Sequence, residues 1–149
     1  MTVPKSLPKI LARKGQKQVG TFASAERGQL VTVEMCVSAS GDQMPPMFIY
    51  PGSAPIPEAY AVGAPENSTF VRTSKGWIDK ETFFIWFKKF VAYTRASKER
   101  PVAMICDGHP SHKYNLELLQ YATDHGVIII CLPPHCTHRM QPLDVTCMR

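Results

Sequence analysis

Two uninterrupted apolar runs constrain this chain more than any other feature. Pro101-Val-Ala-Met-Ile-Cys106 stops at Asp107, and Val127-Ile-Ile-Ile-Cys-Leu132 is halted by Pro133 and Pro134. Between them Asn115 is placed to cap a helix carrying Leu116, Leu118, Leu119 and Ala122, and Gly126 is placed to end it. Two apolar runs flanking a helix read as a βαβ unit with buried parallel strands and a right-handed crossover.

The upstream half has a different period. Val31, Val33, Met35 and Val37 alternate with Thr32, Glu34, Cys36 and Ser38, the repeat of two that marks a half-buried strand. Ser40-Gly-Asp42 supplies a turn and Met47-Phe-Ile-Tyr50 a second strand, so an antiparallel hairpin is expected. Lys17 to Ala23 is a weaker third candidate, interrupted by Gly20. Residues 51–76 are rich in Pro, Gly, Ala and Ser and read as a long loop, either functional or a plain surface excursion. A helix follows. Asp79 is its cap, Ile78 and Phe83 are placed for a hydrophobic staple, and Phe83, Phe87, Phe90 and Val91 fall on one face. The order hairpin, helix, strand, helix, strand predicts a mixed α/β domain.

Composition narrows the setting. The chain has 149 residues, enough for one domain with one core, and 44% hydrophobic against 19% charged residues is ordinary globular usage. No apolar run approaches the roughly 20 residues of a membrane span. The first nine residues hold two lysines and two prolines with no apolar centre, which argues against a secretory signal. Five cysteines without a repeated framework read as reduced thiols of an intracellular protein. The net charge of +5 is local. Residues 1–28 hold six basic side chains and one acid, whereas 29–149 hold 11 of each. A basic segment spaced by Gly15 and Gly20 suits a polyanion, through counterion release; it reads equally as a solvated terminus. The chain therefore divides into a basic segment, 1–28, and a domain, 29–149.

Reactive groups in open α/β sheets gather beyond the C-terminal ends of parallel strands. Asp107 sits there, followed by Gly108 and His109. Such an acid is costly unless paired, hydrogen-bonded or metal-bound. It reads equally as an acceptor of backbone N–H groups from its own loop. The second strand leads into Leu132-Pro-Pro-His-Cys-Thr-His138 and Gln141-Pro-Leu-Asp144, so Asp144 can return toward Asp107; alone, it reads as a helix cap. Two converging carboxylates suit hard divalent cations, and two such ions clamp the oxygens of a phosphodiester displacement. A zinc module drawn from His109, His112, Cys131, His135, Cys136 and His138 has enough ligands, but its spacings do not match the usual pattern. Ser111 and His112 are sequence neighbours and nothing resembles G-x-S-x-G, which argues against a hydrolase triad.

The set Asp107-Gly-His-Pro-Ser-His112, Cys131-Leu-Pro-Pro-His-Cys-Thr-His138 and Met140-Gln-Pro-Leu-Asp144 resembles the pogo/Tigger/jerky group of DDE-type transposases and their domesticated relatives. Lys14-Gly-Gln-Lys-Gln-Val-Gly20, Ser24-Ala-Glu-Arg-Gly28, Met44-Pro-Pro-Met-Phe-Ile49 and Ser74-Lys-Gly-Trp77 extend the likeness over nearly the whole chain. The resemblance implies an RNase H-like fold whose three acids hold two Mg²⁺ or Mn²⁺ ions for DNA cleavage and strand transfer. Asp107 matches the second acid and Asp144 the third, with His109 and His112 beside the metal site in supporting roles. Lys9, Arg13, Lys14 and Lys17 are the expected DNA-contacting residues. DNA in the nucleus, with no membrane partner and no small-molecule cofactor, completes what is implied.

The family's first acid lies on a central strand upstream of the basic segment, and no match to it stands in this sequence. The expectation is therefore a partial RNase H-like domain, an antiparallel hairpin plus a βαβ unit with the central first strand missing, that is inactive alone. The alternative is a non-catalytic, domesticated or decayed DNA-binding remnant. DNA sequence preference and oligomeric state are not legible.

Overall fold

The computed structural model describes residues 30–133 together with Met140, Gln141 and Leu143. Among these residues five strands and three α-helices follow one another as β1 (Thr32–Val37), β2 (Gln43–Pro51), β3 (Thr69–Thr73), α1 (Lys80–Thr94), β4 (Val102–Cys106), α2 (Pro110–Lys113), α3 (Leu116–Asp124) and β5 (Val127–Cys131). This is a mixed α/β arrangement with two separate sheets, ordered β1-β2-β3 and β4-β5.

The expected hairpin is β1 and β2, paired antiparallel from Thr32↔Ile49 to Val37↔Gln43. The second strand is longer than its apolar centre, because it takes in Pro45 and Pro46. Proline cannot donate to a ladder. Both prolines fall where the β1 register shifts between Glu34 and Cys36, and β3 pairs only with Met47–Pro51. The prolines therefore interrupt neither ladder.

Residues 51–76 depart from a plain loop. They contain a 3-10 turn at Glu58–Ala61 and the strand β3, which pairs parallel to β2. Thr69-Phe-Val-Arg-Thr73 is rich in β-branched residues, and Phe70 stacks on Phe48 across the ladder with centroids 5.3 Å apart. The run is short and lies inside a Pro- and Gly-rich stretch, which hid it.

Helix α1 is built as its sequence predicts. The Asp79 carboxylate accepts from the Thr82 N–H at 2.8 Å, and the helix ends at Arg95 in the left-handed conformation. Its apolar face buries Phe83, Phe84, Trp86, Phe87, Phe90 and Val91. These side chains join Met44, Met47 and Ile49 of β2 to Met104 of β4, Val127 of β5 and Leu118 and Ala122 of α3 in one core.

The βαβ unit is also as expected, with β4 and β5 parallel from Val102↔Val127 to Cys106↔Cys131. Asn115 caps α3 by accepting from Leu118 N–H. The chain then turns at Gly126, where φ is +69° and a Cβ would meet the Ser97 carbonyl oxygen at 2.1 Å. Only glycine satisfies both the torsion and that approach.

Burial of these strands is one-sided, which corrects the expectation from their continuous apolar runs. Met104 and Val127 face the core, while Ile105, Ile128 and Ile130 are exposed, as are Leu116 and Leu119 of α3. The pair carries a packed layer on one face only among the described residues. Replacing Phe87, which is fully buried, by alanine should cost about 3–5 kcal/mol in a denaturant titration. Ile128→Ser should stay within about 0.5 kcal/mol of the parent, because the side chain it removes is exposed.

Candidate functional site

Asp107 follows directly on β4, where the chain leaves the sheet and turns into α2. Its Oδ1 accepts from the His109 backbone N–H at 3.0 Å. That is the local backbone bond its position allows. It does not exhaust the group. His112 Nε2 stands 3.3 Å from the same oxygen, and also hydrogen-bonds the Asp107 carbonyl. Oδ2 takes no partner among the described residues, and the side chain is 40% exposed.

The two histidines support this acid differently. His109 caps α2, a single turn that begins with Pro110. Its ring lies 2.9 Å from Ser111 Oγ, so its link to Asp107 is through the backbone. His112 is buried, with its ring 4.8 Å from that of Phe83. Packing on α1 therefore fixes the imidazole that braces Asp107. The short helix α2 lay unread in the sequence; proline at its first position is the signal that marks it.

A second acid, which sequence reasoning placed on the polar row of a strand, stands near Asp107. Glu34 pairs with Met47, and its neighbours along the row, Thr32 and Cys36, pair with Ile49 and Met44. Those three β2 residues are buried in the core, so the polar row of β1 is the inward one. Thr32 satisfies its hydroxyl on the Gly76 carbonyl at 2.7 Å. Burial pushes the Glu34 carboxyl up to about 7, and repulsion from Asp107 adds to the rise. Alternation alone cannot tell which row faces in when the inward row is polar.

Behind Asp107 stand two thiols. Cys106 and Cys131 occupy paired positions at the ends of β4 and β5, with their sulfurs 4.0 Å apart. Burial, then the neighbouring thiol, pushes Cys106 up to about 12. Asp144, His135, Cys136, His138 and the basic residues Lys9, Arg13, Lys14 and Lys17 lie outside the described residues.

The model of the DDE superfamily endonucleases matches residues 28–149. The chain belongs to this family. It is a family of transposase-like nucleases that act on DNA with divalent metal ions. A curated relative, the MFS-type transporter clz9 of Cochliobolus lunatus, is 27% identical over 124 residues, covering 82% of this chain and 13% of that protein. The chain thus spans a small part of the relative it matches. Among the described residues no helix is long and apolar enough to cross a membrane. No solved structure matches.

The Glu34 shift makes a pH prediction. A carboxyl whose folded pKa is raised stabilises the fold fully below its ordinary value of 4.5, and that contribution is lost as pH rises through about 7. The loss should amount to about 2–3 kcal/mol after allowing for partial exposure. In chelator-treated protein, Glu34→Gln should match the parent at pH 4.5 and exceed it by that margin at pH 8, measured by denaturant titration.

Proposed function

We propose that this chain supplies the second and third acids of a DDE nuclease centre, Asp107 and Asp144, which cleaves DNA phosphodiesters and joins strands in a longer parent. The observation that carries the reading is Asp107 itself. It lies beyond the C-terminal end of a parallel strand, braced on one oxygen by His109 and His112, with the other oxygen unpartnered among the described residues and the side chain 40% exposed. A hard oxygen donor held in this way suits Mg²⁺ or Mn²⁺. When bound, such ions supply Lewis-acid stabilisation to the oxygens of an in-line displacement.

The chain's own residues have distinct tasks in this reading. Asp107 and Asp144 hold the ions. His112 fixes the Asp107 carboxylate through its ring, and His109 does so through its backbone N–H. Lys9, Arg13, Lys14 and Lys17 neutralise DNA phosphates, which suits a nuclear protein. The resemblance places the remaining acid on a strand between β1 and β4. The separation of the two sheets supports that placement, since among the described residues β1 lies at the edge of its sheet and β4 pairs only with β5.

The test is a chain extended upstream through the acid-bearing strand, assayed for Mg²⁺-dependent nicking of supercoiled DNA. Asp107→Asn should abolish nicking, by at least about a thousandfold given the electrostatic role asked of the ions. Undiminished nicking in that variant would defeat the reading. The 149 residues alone should not cleave.

The charge distribution favours a second reading, a non-catalytic DNA-binding module, because all the excess positive charge lies in residues 1–28. With four phosphate contacts, affinity should fall by about two orders of magnitude between 50 and 200 mM salt. A fluorescence-anisotropy titration showing no salt dependence would exclude it.

A further inference from the structure

We propose that Cys106, His112 and Cys131 form a binding site for a thiophilic divalent cation of the zinc class, beside the carboxylate site and sharing His112 with it. The three residues come from three elements. Cys106 closes β4, Cys131 closes β5 at the paired register position, and His112 projects from α2. One ligand atom from each lies within 4.8 Å of the others.

The distances favour an ion over the competing chemistry of two thiols. Tetrahedral zinc with bonds of about 2.3 Å to sulfur needs a sulfur separation of about 3.8 Å. The sulfurs stand at 4.0 Å, so an ion requires a shift of a few tenths of an ångström. A disulfide requires them to close to about 2.0 Å. Parallel pairing of Cys106 with Cys131 keeps the two thiols side by side, and the buried ring of His112 adds a third donor already locked by Phe83.

The imidazole is also supported as a ligand should be. Its Nε2 meets Asp107, and its Nδ1 stands 3.4 Å from Ser111 Oγ. Whichever nitrogen takes the metal, the other keeps a polar partner, which fixes tautomer and ring orientation. Two thiolates and an imidazole select zinc, cadmium or cobalt over magnesium. Three ligands among the described residues leave a fourth coordination position for water, and the exposure of Cys131 provides an entry path.

Linear spacing concealed the set. The sequence motif for zinc drew on Cys131 and His112 but passed over Cys106, which reads as the last residue of an apolar strand. Only the β4–β5 register brings it in.

The experiment is a Co²⁺ titration of the full, reduced chain, followed by visible absorption. One equivalent should produce intense tetrahedral bands and a thiolate-to-metal charge-transfer band, which Zn²⁺ displaces and excess Mg²⁺ does not. Cys106→Ser and Cys131→Ser should each abolish the charge-transfer band or cut it by about half, and His112→Gln should weaken binding. Cys136→Ser, Cys147→Ser and Asp107→Asn should leave the band intact, the last separating this site from the carboxylate reading. Absence of the band in the parent chain, or its survival in the Cys106→Ser/Cys131→Ser double variant, overturns the proposal. A readout that needs no variant is alkylation mapped by mass spectrometry. Zn²⁺ should protect Cys106 and Cys131 in the parent chain, and unchanged labelling of both also overturns it.

Discussion

The aromatic face of α1 is what makes one body of two sheets. Among the described residues no strand ladder joins β1-β2-β3 to β4-β5. What joins them is burial: Phe83, Trp86, Phe87, Phe90 and Val91 share one core with Met47 and Ile49 of β2 and with Met104, Val127 and Leu118 of the β4–α3–β5 unit. Each such side chain stabilises the fold by about 1.5–3 kcal/mol through apolar area removed from water. That attraction has no direction of its own, so the register of the two sheets rests on shape. Rings that stack along the helix, Trp86 on Phe90 and Phe87 on Phe90, supply the shape. Directional links at its ends add to this. Tyr93 donates to the Gln43 carbonyl and Asn115 to the Lys80 carbonyl. The distance between Glu34 and Asp107, which belong to different sheets, is thus set by a helix that carries neither.

The polar residues around this core follow a rule of position. Thr32, Glu34 and Cys36 point inward from β1, where an edge strand of an ordinary sheet would show valines. A buried polar group costs roughly 1–3 kcal/mol unless it finds a partner. Thr32 finds the Gly76 carbonyl, and Glu34 avoids the larger cost of a buried charge by keeping its proton to about pH 7. On that row Glu34 feels the charge of Asp107, whereas Cys36 packs against the apolar core. The valines go to the opposite face, where Val33 pairs with Phe48 and Phe48 stacks on Phe70.

What was legible in the sequence is what local chemistry decides. The caps Asp79 and Asn115, the stop at Gly126 and the hairpin each depend on a few adjacent residues, and the parallel pair on two apolar runs flanking a capped helix; each stands where its residues place it. The position of Asp107 was legible for the same reason, since it ends an apolar run. The features that escaped depend on pairing across long distances. Strand β3 exists because β2 offers it an edge, Glu34 faces inward because of its register with Met47, and Cys106 meets Cys131 only through the β4–β5 ladder. One-sided burial of the isoleucines escaped because a run of apolar residues does not say how many layers will cover it. Asp144, the other half of the expected carboxylate pair, lies outside the described residues.

Hard and soft donors therefore crowd one end of the fold. Asp107 and Glu34 offer oxygen, Cys106 and Cys131 offer sulfur, and His112 stands between them with Asp107 against one ring nitrogen. The two sets answer to different ions, because magnesium gains little from sulfur and zinc gains much. They are not electrostatically separate. Any cation drawn to Asp107 lowers the cost of ionising Glu34, since repulsion between the two carboxylates is part of what raises it. A cation held by the thiols next to Asp107 acts in the same direction from the other side. The charge state of Glu34 is thus coupled through Asp107 to whatever ion either donor set holds, and the coupling needs no movement of the backbone.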